Sequence, residues 1–170
     1  MTLLSDTAAA GGGSGTARNS ESDLDSHFHA VIDLNAEFAD AERFGYFVKT
    51  KKPIIAAING PCAGIGLVMA LYADIRFAAE AAVLTTSFAQ RGLIAEHGIS
   101  WLLPKLVGQA NALDLLLSAR KIRADEALHM GLVNKVYARD SFMADVMAYV
   151  HYLAQHVSPR SMAIMKAQVW

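Results

Sequence analysis

The sequence holds a single cysteine, Cys62, in 170 residues. No disulfide can close within such a chain, and a reducing compartment, the cytoplasm, is its simplest setting. Charge is scarce too: charged residues make up 18% of the chain and the net charge is −1. That balance offers no electrostatic reason to bind nucleic acid or an anionic membrane. No apolar run approaches the ~20 residues that cross a bilayer. The first residues lack the basic patch and apolar core of a secretory signal. Six histidines are scattered, and His27 and His29 stand beside a Gly- and Ser-rich stretch, so no metal-ligand spacing emerges. No fixed-period repeat is visible. Apolar residues, by contrast, make up 54% of the chain, ample for a core. With no membrane span to absorb them, that excess implies surface buried between subunits.

Three regions are expected. Residues 1–25, with Gly11-Gly12-Gly13-Ser14-Gly15 at their centre, read as a flexible segment. Residues 26–138 alternate strand and helix signals as an α/β core. Residues 139–170 carry two helices. A long helix is predicted from Ser26 to Thr50, closed by Lys49, Lys51 and Lys52 and stopped by Pro53. Ile54 to Ile58 is an apolar run of strand length, as of a strand covered on both faces. A buried helix over Gly64–Ala73 and strands at Ile75–Ala78 and Val83–Thr86 complete a βαβ crossover. Helices follow at Ile99–Val107, Gln109–Ser118 and Arg123–Met130, the last stopped by Gly131. A strand is predicted at Leu132–Tyr137 and a helix at Ser141–His156. Ser158 and Pro159 then open a final helix.

The chemistry concentrates where the first strand breaks, at Asn59-Gly60-Pro61-Cys62-Ala63-Gly64-Ile65-Gly66. Small residues there let a ligand approach the main chain closely. A helix that starts in such a turn presents free N–H groups to an anion or a developing oxyanion. A tight strand-to-helix turn with no ligand reads equally well from the glycines alone. Cys62 has no base beside it and reads as a small packing residue.

Lys52 through Arg76 closely resembles the enoyl-CoA hydratase/isomerase (crotonase) family. The likeness continues through Phe88-Ala89-Gln90-Arg91-Gly92-Leu93, Leu103-Pro104-Lys105-Leu106-Val107-Gly108 and Ala124-Asp125-Glu126-Ala127 with Gly131-Leu132-Val133. The resemblance implies an α/β spiral of ββα units followed by a C-terminal helical trimerisation region. It implies an acyl-CoA substrate, a homotrimer or dimer of trimers, and a place in fatty acid metabolism. No cofactor is implied beyond coenzyme A as part of the substrate. In the family, two backbone N–H groups hold the thioester oxygen as an enolate forms. One of them maps to the N–H of Ile65, with Ala63, Gly64 and Phe88 at the substrate. The family favours a smaller residue than Ile65, but the donor is main chain. The other donor belongs to a motif ending in Ala-Gly-Ala-Asp, which is absent from this sequence. The chain is therefore expected to begin after that motif and to lack the first turns of the spiral.

The two glutamates with which the family's hydratases activate water fall on Val68 and Phe88. Neither can exchange a proton with water, which disfavours two-glutamate hydration. Glu96, in Gly92-Leu93-Ile94-Ala95-Glu96-His97-Gly98, resembles the catalytic carboxylate of the family's enoyl-CoA isomerases. Burial among Leu93, Ile94 and Trp101 would suit it to proton transfer. A surface carboxylate or a helix cap is the plainer reading of Glu96, and a surface or capping role that of His97. His97, as the next residue, is expected to point elsewhere, with tuning of Glu96 or contact with substrate as its other readings. Trp101 reads as core, and Arg160 and Lys166 as a solvated helix face. Double-bond isomerisation is the expected reaction. A non-catalytic, oligomer-forming relative, hydration, and thioester hydrolysis are the alternatives.

Overall fold

The computed structural model describes residues 44–170. The predicted flexible segment 1–25 and most of the helix predicted over 26–50 lie outside them. The end of that helix is a single turn, α1 (Tyr46–Lys49), closed by Thr50 in extended conformation ahead of Pro53.

Two ββα turns follow. The first is β1 (Ile55–Ile58), β2 (Cys62–Ala63) and α2 (Ile65–Leu71). The second is β3 (Ile75–Ala79), β4 (Val83–Thr85) and α3 (Ile99–Ser118), with a 3-10 turn at Ala89–Arg91. Then come β5 (Ile122–Arg123), α4 (Ala124–His129), β6 (Lys135–Tyr137), α5 (Phe142–His156) and α6 (Pro159–Val169). The first strand of each turn enters one sheet, ordered β1-β3-β6, and the second enters another, ordered β2-β4-β5. Ile55 pairs with Ile75 and Ile58 with Ala78 in parallel register. Cys62 pairs with Leu84 and Ala63 with Thr85, also parallel, while β5 runs antiparallel to β4. The chain therefore climbs like a spiral stair between two sheets. The predicted βαβ crossover is the first step of it.

The core lies between the sheets and the helices. Leu67, Val68, Leu71 and Tyr72 from α2 meet Leu84, Ile99, Leu102, Leu103, Ile122 and Leu132 there, all nearly or fully buried. Burying a side chain of this size is worth about 1.5–3 kcal/mol, so this face of α2 dominates its stability. A smaller cluster joins Phe77 and Ala79 of β3 to Phe142 and Val146 of α5. Arg76 is buried with its charge spread over carbonyls: Nε donates to Leu132 O at 2.9 Å and Nη1 to Ala73 O at 2.5 Å. Burial lowers its pKa, and the nearby Asp74 carboxylate partly offsets that.

The structure alters three expectations. β1 is not covered on both faces: Ala57 is exposed and Ile58 alone is fully buried, because among the described residues the strand pairs only with β3. The strand predicted over Leu132–Tyr137 shrinks to Lys135–Tyr137, since Leu132 and Val133 donate to Ala127 O and close the end of α4. Lys166 is no solvated residue. It is buried, with Nζ donating to Phe47 O, Lys52 O and the Asp74 carboxylate. Arg160 is exposed, as expected. The predicted break between two helices at Gly108 is present as expected: Gly108, with φ 76° and ψ 161°, leaves the helical conformation and kinks α3 there.

Candidate active site

The turn that joins β2 to α2 depends on Gly64. Its φ of 52° with ψ of −124° is open to glycine and strained for any residue with a Cβ. Its N–H donates to Thr85 O at 3.2 Å, which holds the turn against the end of β4. Ile65 and Gly66 then open α2, whose first N–H groups have no acceptor within the helix. Ile65 is 44% exposed.

Ala63, Gly64, Ile65, Phe88 and Glu96 all line one cavity of about 300 Å³. Three separate stretches meet there: the turn before α2, the end of β4, and the loop ahead of α3. The remaining wall is Gly66, Thr86, Ser87, Arg91 and Leu93. Thr86 has no hydroxyl proton to offer the cavity, because its Oγ1 donates to Leu115 O at 2.8 Å. Ser87 has φ 59°, left-handed for a residue that is not glycine. Its N–H reaches Thr85 Oγ1 at 3.2 Å. Neither Ser87 nor Arg91 carries a site signal of its own in the sequence. A left-handed serine after a strand leaves no composition signal, and Arg91 was visible only as part of a family motif.

The two positions to which the resemblance assigns the hydratase glutamates part company. Phe88 is on the cavity wall, whereas Val68 is fully buried in the core. Among the described residues Glu96 is the one carboxylate lining the cavity. It is less enclosed than expected: its side chain is 39% exposed, and Leu93 and Ile94 are exposed as well. Trp101 does not cover it. That ring lies over a second cavity, of about 500 Å³, stacked at 6.3 Å on Trp170, with Lys105 Nζ 3.4 Å from its centroid. Chain geometry explains the difference, because Gly98 turns α3 away from the loop with φ 80°. Glu96 is not the helix cap either. Gly98 is the N-cap of α3 and no side chain caps it. The carboxylate is 3.6 Å from His97 Nε2 instead.

Cys62 stands outside this cavity. It is half-buried on β2 and borders a concavity along β1. Burial pushes its thiol pKa up, which suits a packing role. Among the described residues no three His, Cys, Asp or Glu side chains converge on a common point.

The family model described as enoyl-CoA hydratase/isomerase matches residues 27–169. A probable enoyl-CoA hydratase of Rhodobacter capsulatus is 38% identical over 115 residues, 68% of this chain and 45% of that protein. The 1,2-epoxyphenylacetyl-CoA isomerase of Escherichia coli is 37% identical over 110 residues, 65% of this chain and 40% of that one. The chain thus spans less than half the length of these two relatives. The crystal structure of an enoyl-CoA hydratase, EchA12_1, from Mycobacterium marinum superposes with a TM-score of 0.68 at 43% identity. That match covers 86% of this chain and 82% of the other. Spiral, turn and family match agree, and the chain belongs to the enoyl-CoA hydratase/isomerase family.

Proposed function

We propose that this cavity binds an acyl-CoA thioester and that Glu96 moves a proton on it, with double-bond isomerisation as the reaction. The Ile65 N–H would donate to the thioester oxygen. The Glu96 carboxylate would take a proton from the carbon alpha to the thioester of a 3-enoyl substrate. The C–H electron pair enters the enolate, whose charge rests on the oxygen. Glu96, now the acid, returns the proton at the gamma carbon and leaves the 2-enoyl thioester. The step needs no redox partner, and coenzyme A takes part only as the thiol of the substrate. A fixed main-chain donor at a developing oxyanion is worth about 3 kcal/mol, and a positioned base about 10²–10⁴-fold in rate.

One observation carries the reading: among the described residues a single carboxylate, Glu96, lines the cavity, while the two positions that the resemblance gives to the hydratase glutamates hold Val68 and Phe88. One carboxylate serves a proton shuttle and does not serve two-glutamate hydration. Ala63, Gly64 and Phe88 are assigned to the substrate's acyl and thioester portion. A homotrimer or dimer of trimers in the cytoplasm, within fatty acid metabolism, fits the family. No helix among the described residues is long and apolar enough to cross a membrane.

The substitution Glu96→Gln should abolish conversion of 3-enoyl-CoA to 2-enoyl-CoA; unchanged turnover refutes the assignment. The same two apolar positions favour a second reading, a non-catalytic oligomer-forming relative. A thermal shift with acetoacetyl-CoA separates the two, since a non-binding relative shows none. Release of free thiol would point instead to thioester hydrolysis.

A further inference from the structure

Glu96 and His97 are adjacent in sequence, and in extended backbone adjacent side chains point to opposite faces. Here they do not diverge. His97 has φ 58°, and Gly98 after it has φ 80°. This left-handed step removes the alternation and sets His97 Nε2 3.6 Å from Glu96 Oε2. Glycine takes such a φ freely; histidine, one of the few other residue types that visits it, does so at a cost.

The hydroxyl of Tyr72, a fully buried residue, donates to the His97 carbonyl at 3.2 Å. The imidazole meets the ring of buried Phe44 edge-on, with centroids 5.9 Å apart. His97 is also the more enclosed of the pair, with its side chain 22% exposed against 39% for Glu96. The anchored partner is therefore the histidine, and the partner free to move is the carboxylate. An exposed glutamate has several rotamers open to it, and a base must hold its oxygen within hydrogen-bond reach of the proton it takes.

We propose that His97 is a positioning residue for Glu96: its imidazole, anchored by Phe44 and Tyr72, holds the carboxylate at the cavity wall it shares with Ile65. The proposal rests on the proton-carrying role of Glu96 and deepens it. It also accounts for a strained histidine where glycine would fit without strain.

His97→Gly deletes the imidazole and relaxes the backbone at once. A purely structural role predicts a variant as active as the parent. Positioning predicts that kcat falls about 10-fold or more, with KM and the melting temperature held. His97→Gln, whose amide nitrogen stands near the place of Nε2, should recover part of that loss. A readout without turnover is the Glu96 Hα–Hβ coupling by NMR: one χ1 rotamer in the parent, averaged in His97→Gly. Parental kcat or unaveraged couplings in His97→Gly overturn the proposal, as does a loss of KM and melting temperature together with kcat in both variants. Glu96→Gln separates the two claims. If it is inactive while His97→Gly is fully active, positioning fails and the reading of Glu96 stands. If it is fully active, both fail.

Discussion

Lys166 Nζ lies 2.7 Å from Asp74 Oδ2, although 92 residues separate them in sequence. The ammonium also donates to the carbonyls of Phe47 and Lys52. The carboxylate accepts from the Ile54 N–H at 2.7 Å and from Trp170 Nε1 at 3.0 Å. The final helix is thereby tied to the start of β1 and the end of α2, the elements on either side of the Gly64 turn.

Removing one partner of this node should be costly. Lys166→Ala leaves the Asp74 carboxylate short of its nearest cation in a site where the two side chains are only 16% and 6% exposed. Loss of one partner of a buried pair costs about 3–5 kcal/mol. Urea unfolding should show a destabilisation near the lower end of that range, since Asp74 keeps two N–H donors. A change below about 0.5 kcal/mol, the size of a surface substitution, would mean the pair is solvated in solution.

Two glycines of the same turn should respond oppositely to alanine. At Gly64 a new Cβ finds room, its nearest neighbour being Thr86 O at 4.0 Å, so the cost is the φ of 52° alone. That strain is worth about 1–3 kcal/mol. At Gly66, in the first turn of α2, a Cβ meets nothing within 4 Å. There alanine should stabilise by up to ~1 kcal/mol through helix propensity. Paired thermal melts test both. Equal shifts would show that the backbone at residue 64 relaxes without penalty.

Cys62 should be a slow thiol. The thiolate is the nucleophile, and burial raises the pKa, so less thiolate is present at any pH below that value. Alkylation by iodoacetamide at pH 8 should run slower than for free cysteine and accelerate as pH rises. A rate equal to or above that of free cysteine would contradict the burial.

Much of this architecture was readable from local chemistry. Pro53, the apolar run and the small residues after Asn59 announce strand, break and helix. Gly131 stops α4 with φ 80°, and Ser158 Oγ caps α6 by accepting from the Ser161 N–H. The family motifs point to Ala63, Gly64, Ile65, Phe88 and Glu96, and the fold brings all five to one cavity. What stayed hidden depends on distant partners. Lys166 looks like any helix lysine until Asp74 and two carbonyls surround it. The apolar Leu93 and Ile94 promised a covered Glu96, yet the loop turns them outward. The left-handed φ of Ser87 and of His97 has no residue-type signature, because neither is glycine.

The central claim is that Glu96 carries the proton of an enolate-forming reaction. It is tested most directly by deuterium incorporation from D2O into a 3-enoyl-CoA at its alpha and gamma carbons. The parent protein should incorporate deuterium. Glu96→Gln should not, while still showing the parent's thermal shift with acetoacetyl-CoA. Equal incorporation by the two proteins would contradict the account.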